Sequence, residues 1–563
     1  MAEKINLRET RSMLFSLLQP DRRFFGAAVV YGIAISLLTL AVPLAVQTLI
    51  NSVVNTASVR AVVTLAVVLM IILLISGLFS ALRMRVMEYY ERKIYARLTS
   101  QVSLKTLFAP HSFFEGRRNT TITQRYFDIM TLQKNVPSLM IDGFALVLQM
   151  LVGFTLVSFY HPAFFAFNVC ILLAMFAVWK IWGNKAKASA IRLSQSKYDG
   201  AKWLTDISSA HEFFKSSRHQ DYAATQTQQR IEDYLKHHRA HFRYTFTQSI
   251  MFLVIYALAS ALLLGLGGYL VVLGQLSIGQ LVAAELIMSA VFVGIARFSM
   301  YLKLYYELYG AAEKLGGALT IPQEPEPQAK VCVPTAPDLG FEHVVVSHQQ
   351  QSCKLDFTIP AGTKCYIFSD KSWLQRQLTA LIKRYDKPAQ GIVTLADQAL
   401  FDYDPLELRQ AVALVDRSIV VECTIEEYLL MAAPEATHVE VDRVLEMVQL
   451  TDVINNFEEG LNSKLSALGG PLQPLEFLLL KLAAAILAKA PVIIINQHFD
   501  AIPQAVRHTL LSQIDALPAT VLYFTNTPES QWFNAVMTFD DEARLDFHRP
   551  LSTPSASEFT DAE

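Results

Sequence analysis

The chain has 563 residues, room for two to four domains, and 52% of them are apolar. Its 48 basic and 50 acidic residues nearly cancel, which excludes the strongly basic surface of a nucleic-acid binder. The five cysteines (Cys170, Cys332, Cys353, Cys365 and Cys423) show neither CxxC nor other metal-ligand spacing, so reduced thiols are expected rather than a disulfide framework or a zinc site.

Residues 1–23 are charged and lack the short apolar core and cleavage site of a signal peptide, so a cytoplasmic N-terminal segment is expected. Six apolar stretches follow, at about 24–50, 61–82, 140–160, 162–182, 247–273 and 278–296, each near the roughly 20 residues that cross a bilayer as helix. The His161-Pro162 step separates the third and fourth, and the turn Gly274-Gln275-Leu276-Ser277 separates the fifth and sixth. Connections after the first, third and fifth stretches are short, with Arg60 their one charge. Those after the second and fourth are long, helical in pattern and rich in Lys and Arg. Positive residues stay on the cytoplasmic side, so both long loops and both termini are expected there. Helix should run on past the sixth stretch, giving a membrane domain over 24–319. A proline-rich linker at 320–338 leads to an α/β domain at 339–545, with strand signals at His343, Lys364, Gly391, Ala411, Pro491 and Ala519. The tail, 546–563, is polar and carries no packing pattern.

This plan resembles an ABC exporter half-transporter, and the likeness covers nearly the whole chain. The phrase LSIGQLVAAE from Leu276 is similar to the one joining the last two spans in that family. FFEGRRNTTITQRYFDIM from Phe113 resembles its first cytoplasmic coupling segment, and VPLAVQTLINSVV from Val42 resembles the end of the first span in its protein-secretion branch. Only about two dozen residues precede the first span, so no leading peptidase domain is expected. The implied fold is an α-helical membrane domain of six spans with long cytoplasmic extensions, followed by an α/β P-loop-like ABC cassette.

Within the cassette, the resemblance assigns the adenine-stacking aromatic to His348 and the phosphate-loop (Walker A) lysine and serine to Leu374 and Gln375. The Q-loop glutamine falls on Arg417, and the signature LSGGQ on Leu472-Gln473-Pro474-Leu475-Glu476. The Walker B aspartate falls on Asn496, the catalytic glutamate on Gln497, and the switch histidine on Asn526. No glycine lies between Gly362 and Gly391, although a phosphate loop needs glycines to turn backbone N–H groups onto the phosphates and a lysine to meet their charge. An amide at Asn496 supplies no carboxylate for magnesium, and Gln497 cannot take a proton from attacking water. The family uses ATP and Mg2+; here neither is expected as a working cofactor, and no residue is assigned as catalytic. The Asn496–Gln497 pair is isosteric with Asp–Glu, either favouring a closed cassette dimer or merely keeping the packing. Lys371-Ser372 is either a displaced remnant of the Walker pair or unrelated to it, and Arg417 and Arg376 either bind some anion or are surface arginines.

In the membrane domain Glu285 is the conspicuous ionisable residue, a candidate for the substrate or ion pathway or else a group near the outer surface. Gln47, Gln149 and Asn168 read as interhelical hydrogen-bonding groups, and Tyr256, Phe292 and Phe298 as packing. His237 and His241 share a helical face, as metal ligands would, or sit on a basic helix end. Three functions fit: an export subunit working as a homodimer or as a heterodimer with another half-transporter, a non-transporting membrane scaffold, and a proton- or ion-driven carrier. The resemblance adds membrane lipids and a periplasmic adaptor as partners, in a bacterial inner membrane, and the substrate is not legible.

Overall fold

The computed structural model describes residues 7–18, 26, 30–34, 38, 42–43, 45–49, 59–114, 126–325, 332–348, 351–369, 371–417, 421–466, 469–526, 532–539 and 543–547. Most of the expected first span (24–50), the middle of the first coupling phrase (115–125) and nearly all of the tail lie outside these residues. The chain divides into a helical unit, 1–109 with 113–323, and a second unit, 110–112 with 324–563.

Among the described residues, five helices of the first unit are long and apolar enough to cross a membrane. Helix α1 (Leu7–Leu18) precedes them. Helix α2 (Val59–Leu107) has 49 residues, about 73 Å at 1.5 Å per residue, so it runs far beyond a 30 Å hydrocarbon layer, as the basic connection after it requires. Helices α3 (Tyr126–Pro137) and α4 (Phe144–Ser158) join through a π-helical turn, Ser138–Gly143. It begins directly after Pro137, whose missing N–H interrupts the i→i−4 ladder. At the His161-Pro162 step, His161 Nδ1 accepts from the Ala163 N–H at 3.1 Å and Pro162 occupies the first turn of α5 (Pro162–Ser209). Helix α6 (Ser217–Val272) ends at a turn where Gly274 has φ +72°. Ser277 and Gln280 then form a capping box that starts α7 (Ile278–Leu319).

Polar side chains tie these helices together. Asn168 Nδ2 donates to the Phe154 carbonyl and to Ser158 Oγ, each at 3.0 Å, joining α5 to α4. Tyr160 OH donates to Gln47 Oε1 at 2.9 Å, and Gln248 Nε2 to Tyr306 OH at 3.0 Å. Tyr256 packs edge-on to Phe292, as does Phe252 to Phe298. His241 is buried against Ser189 Oγ at 2.9 Å while His237 is half-buried, and among the described residues no His/Cys/Asp/Glu group could hold a metal ion.

The second unit is α/β. An antiparallel sheet runs in the order β2 (Gln351–Ile359), β1 (Leu339–His348), β4 (Gln390–Leu395), β5 (Gln398–Ala399). The larger sheet contains β3 (Lys364–Phe368), β6 (Val412–Val415), β9 (Val492–Ile495), β10 (Thr520–Phe524), β11 (Ala535–Phe539) and β12 (Ala543–Phe547), in the order β12-β11-β3-β10-β9-β6. All its pairs are parallel except β11 with β12. Its central strands are continuous apolar runs because both faces are covered. A two-residue ribbon pairs β7 (Cys423–Thr424) with β8 (Lys464–Leu465). The unit also contains the helices α8 (Ser372–Ile382), α9 (Pro405–Ala411), α10 (Ile425–Ala432), α11 (His438–Met447), α12 (Pro474–Leu487) and α13 (Gln504–Asp515), and a short helical segment at Thr451–Asn455. All five cysteines are free thiols.

Candidate functional site

In open parallel sheets ligands bind beyond the carboxyl ends of the strands, which is where the assigned nucleotide positions of this unit fall. Strand β3 lies between β11 and β10 in the middle of the sheet. Only residues 369–371 separate it from α8, too few to wrap a phosphate chain. The backbone there is turned inward: the Lys371 N–H donates to Ser369 Oγ and the Leu374 N–H to the Lys371 carbonyl, both at 3.0 Å. Leu374 is 0% exposed and packs in the same core as Ile367 and Leu378. A side chain at this position therefore points into the sheet–helix core rather than at a ligand. Gln375 is half-buried and Arg376 exposed.

The structure brings His348 together with Trp373, whose part in the site the sequence did not disclose. Their rings stack with centroids 5.8 Å apart and planes 22° apart, and Trp373 Nε1 donates to Gln351 Oε1 at 2.7 Å. The assigned adenine platform thus already carries an aromatic ring supplied by the helix beneath it.

At the end of β9, Asn496 turns back on its own loop, its Oδ1 accepting from the His498 N–H at 2.9 Å. Gln497 follows, half-buried. The carboxylate that organises this corner is Asp500, a residue the motif alignment passes over. It accepts from the Tyr523 hydroxyl, from Thr525 Oγ1 at 2.8 Å and from the Asn526 N–H at 3.1 Å. All three donors lie at the end of β10 or just after it, so Asp500 fastens the loop after β9 to the loop after β10. Asn526 itself is exposed.

The signature positions begin α12. Leu472 is buried, Pro474 has no N–H, and the Gln473 N–H donates to Glu476 Oε2 at 2.7 Å. A helix N-terminus carries partial positive charge that suits a phosphate, but here the Glu476 carboxylate occupies it. Arg417 is exposed at the Q-loop position. Its neighbour Asp416 pairs with Lys481 of α12 at 2.8 Å, and the Lys481 side chain is only 5% exposed. Lys383 Nζ donates to the Val412 carbonyl at 2.8 Å, and burial pulls its pKa down from 10.5 to about 8.

Farther along the same unit, Glu324 of the linker makes a bidentate pair with Arg409, at 2.9 and 2.8 Å. The Arg409 guanidinium lies 4.8 Å from the centre of the Tyr385 ring, and His111 stacks on that ring at 4.4 Å. In the helical unit Glu285 sits about two turns into α7, and its Oε2 is buried with no hydrogen-bond partner among the described residues.

A unit of helices long and apolar enough to cross a membrane, followed by a unit built on a parallel sheet, defines a class, the polytopic membrane protein with an attached α/β domain. Residues 25–295 match the family model described as "ABC transporter transmembrane region". The full fold superposes with TM-score 0.79 and 16% identity on a solved "bacterial Atm1-family ABC exporter with ATP bound", covering 94% of this chain and 95% of that one. The fold is that of an ABC exporter.

Curated relatives include an ATP-dependent lipid A-core flippase of Ralstonia nicotianae, 26% identical over 37% of this chain and 36% of that protein. The flippase of Desulfotalea psychrophila is 21% identical over 69% of each chain. An RTX-III toxin translocation ATP-binding protein of Actinobacillus pleuropneumoniae is 20% identical over 78% of this chain and 63% of that one. The match to the first of these spans about a third of its length.

Proposed function

We propose that this chain is the membrane subunit of an exporter-type transporter that works as a dimer, with a cassette that does not hydrolyse ATP by the family's ordinary mechanism. The observation that carries the reading is Leu374, fully buried where a phosphate-binding lysine would have to reach a ligand. The three-residue β3–α8 connection, the Trp373–His348 stack and Glu476 at the start of α12 support it, as does the amide pair Asn496–Gln497. In this reading residues 24–50 form a sixth span, both termini are cytoplasmic, and the membrane is a bacterial inner membrane. The relatives are named for lipid A-core flipping and for toxin translocation, so a lipid or a secreted polypeptide is the substrate class, and the latter would call for a periplasmic adaptor. The test is nucleotide binding and turnover by the full chain in lipid nanodiscs beside an intact exporter. No saturable ATP binding and no magnesium-dependent phosphate release are expected; turnover at the control's rate would sink the reading.

A second reading is favoured by one observation, the buried and unpartnered Glu285 Oε2. A carboxyl group kept dry inside a membrane bundle suits protonation and release, so an ion gradient would drive transport. Glu285→Gln, with expression intact, should then abolish proton-dependent substrate uptake in vesicles, whereas unchanged uptake removes this reading.

A further inference from the structure

Helix α6 carries a stripe of exposed side chains that continues from its cytoplasmic half into its apolar half. Leu235, Arg239, Phe242, Phe246, Ile250 and Leu253 recur at spacings of 4, 3, 4, 4 and 3, one side of a 3.6-residue helix. Phe242 is 55% exposed and Phe246 50%, their rings stacked at 5.2 Å, and Ile250 and Leu253 are 42% and 47% exposed. Lys236 and Arg243 flank the stripe and, with Arg239 and Leu235, line an open cleft of about 500 Å3. The one acid in that lining, Glu232, is engaged by Gln228 Nε2 at 2.8 Å. Among the described residues no carboxylate pairs with Lys236, Arg239 or Arg243; Arg243 only folds over its neighbour, the Tyr244 ring, at 5.3 Å.

Three cations gathered without a counter-ion repel one another unless an anion joins them. Their depth says which anion. With the apolar stretch beginning near Thr247, Arg243 lies about 6 Å and Arg239 about 12 Å below it along the helix. The headgroup layer is roughly 5–8 Å thick on each side, and long cationic side chains extend toward it. Exposed aromatic rings such as Phe242 and Phe246 suit the same boundary. The side of α6 that presents Ile250 and Leu253 to hydrocarbon therefore presents Arg243 and Arg239 to phosphates. We propose that this face docks anionic phospholipid headgroups of the cytoplasmic leaflet. The assignment does not depend on whether the cassette turns over ATP.

The experiment uses the full chain in nanodiscs of phosphatidylcholine with a minority of phosphatidylglycerol, and measures association of spin-labelled phosphatidylglycerol against spin-labelled phosphatidylcholine. The anionic probe should be preferred, and the preference should fall as salt rises. In the combined Lys236→Gln, Arg239→Gln, Arg243→Gln variant it should drop by roughly fivefold or more, Arg243 nearest the layer supplying about 1 kcal/mol and the two deeper cations less because the attraction falls off within a Debye length. The charge-conserving Lys236→Arg, Arg239→Lys, Arg243→Lys variant should retain it, which separates charge from fold. Equal association of the two probes with the unaltered chain, or an unchanged preference in the glutamine variant, overturns the proposal. So does a glutamine variant that alters subunit stoichiometry while its lipid preference stays the same, because the face would then be an interface between copies.

Discussion

Leu374 is the residue on which the reading of the cassette turns, because the alignment and the packing describe it differently. By alignment it stands where a lysine would face phosphate; by packing it is a core residue beside Ile367 and Leu378. Restoring the lysine should therefore fail as a repair. Leu374→Lys would leave a charge in the core without a partner, at a cost of about 3–5 kcal/mol. The expected result is a lowered thermal midpoint for the α/β unit with no gain of ATP binding, read together by differential scanning and by a fluorescent nucleotide. A variant that melts like the parent and binds nucleotide would mean that the loop opens toward solvent. Asp500 makes the complementary point. Its three donors from the Tyr523–Asn526 segment hold the loops after β9 and β10 together.

At the scale of elements, what was legible is what a pattern of apolar residues encodes locally. The long helices and strands β1, β3, β4, β6, β9 and β10 follow from such runs, and the turns at His161-Pro162 and Gly274–Ser277 follow from residues with fixed backbone preferences. Strands β2, β11 and β12 were not legible, since β2 alternates polar and apolar beside a partner that completes it, β11 takes its place in the sheet only by pairing with the distant β3, and β12 pairs only with β11. The π-helical turn after Pro137 left no sequence signature beyond the proline. In the candidate site the assigned positions came from spacing, but the Trp373–His348 stack and the hold of Asp500 on the switch loop depend on side chains 25 or 26 residues apart. Helix contacts are equally tertiary. A Cβ at Gly153 of α4 would overlap the Val291 side chain of α7, whereas one at Gly77 of α2 would meet nothing within 4 Å. Gly153→Val should therefore lower the stability of the detergent-solubilised protein by about 1–3 kcal/mol through overpacking. Gly77→Ala should not lower it at all. Equal effects from both would show that α4 and α7 do not approach this closely.

Across the whole molecule charge is balanced at a net of -2, yet two lysines of the α/β unit are buried in ways that tie its stability to pH. Lys364 Nζ donates to the carbonyls of Gly362, Leu517 and Ala519, and burial lowers its pKa to about 8, as it does for Lys383. In the unfolded chain both keep their protons to about 10.5. Between pH 8 and 10.5 the unfolded state therefore binds more protons, and raising the pH favours the folded one. From pH 7.5 to 8.8 this amounts to about 1 kcal/mol per lysine. Cys365 and Tyr428 act in the opposite sense, since burial pushes both up to about 12 and the unfolded chain loses their protons first. Their effect begins near pH 9 and outweighs that of the two lysines only near pH 10, where the unfolded chain starts to lose its lysine protons too, so stability should climb from pH 7.5, pass a maximum at about pH 10 and then fall. Thermal unfolding of the full chain, read at peptides of the α/β unit by pulsed hydrogen exchange at a fixed labelling pH, measures the curve. Lys383→Met should roughly halve the climb below pH 9 and leave the later fall in place. A parent protein whose stability declines steadily from pH 7.5 would mean that these lysines keep their protons in the folded state, held by water or by a carboxylate that reaches them.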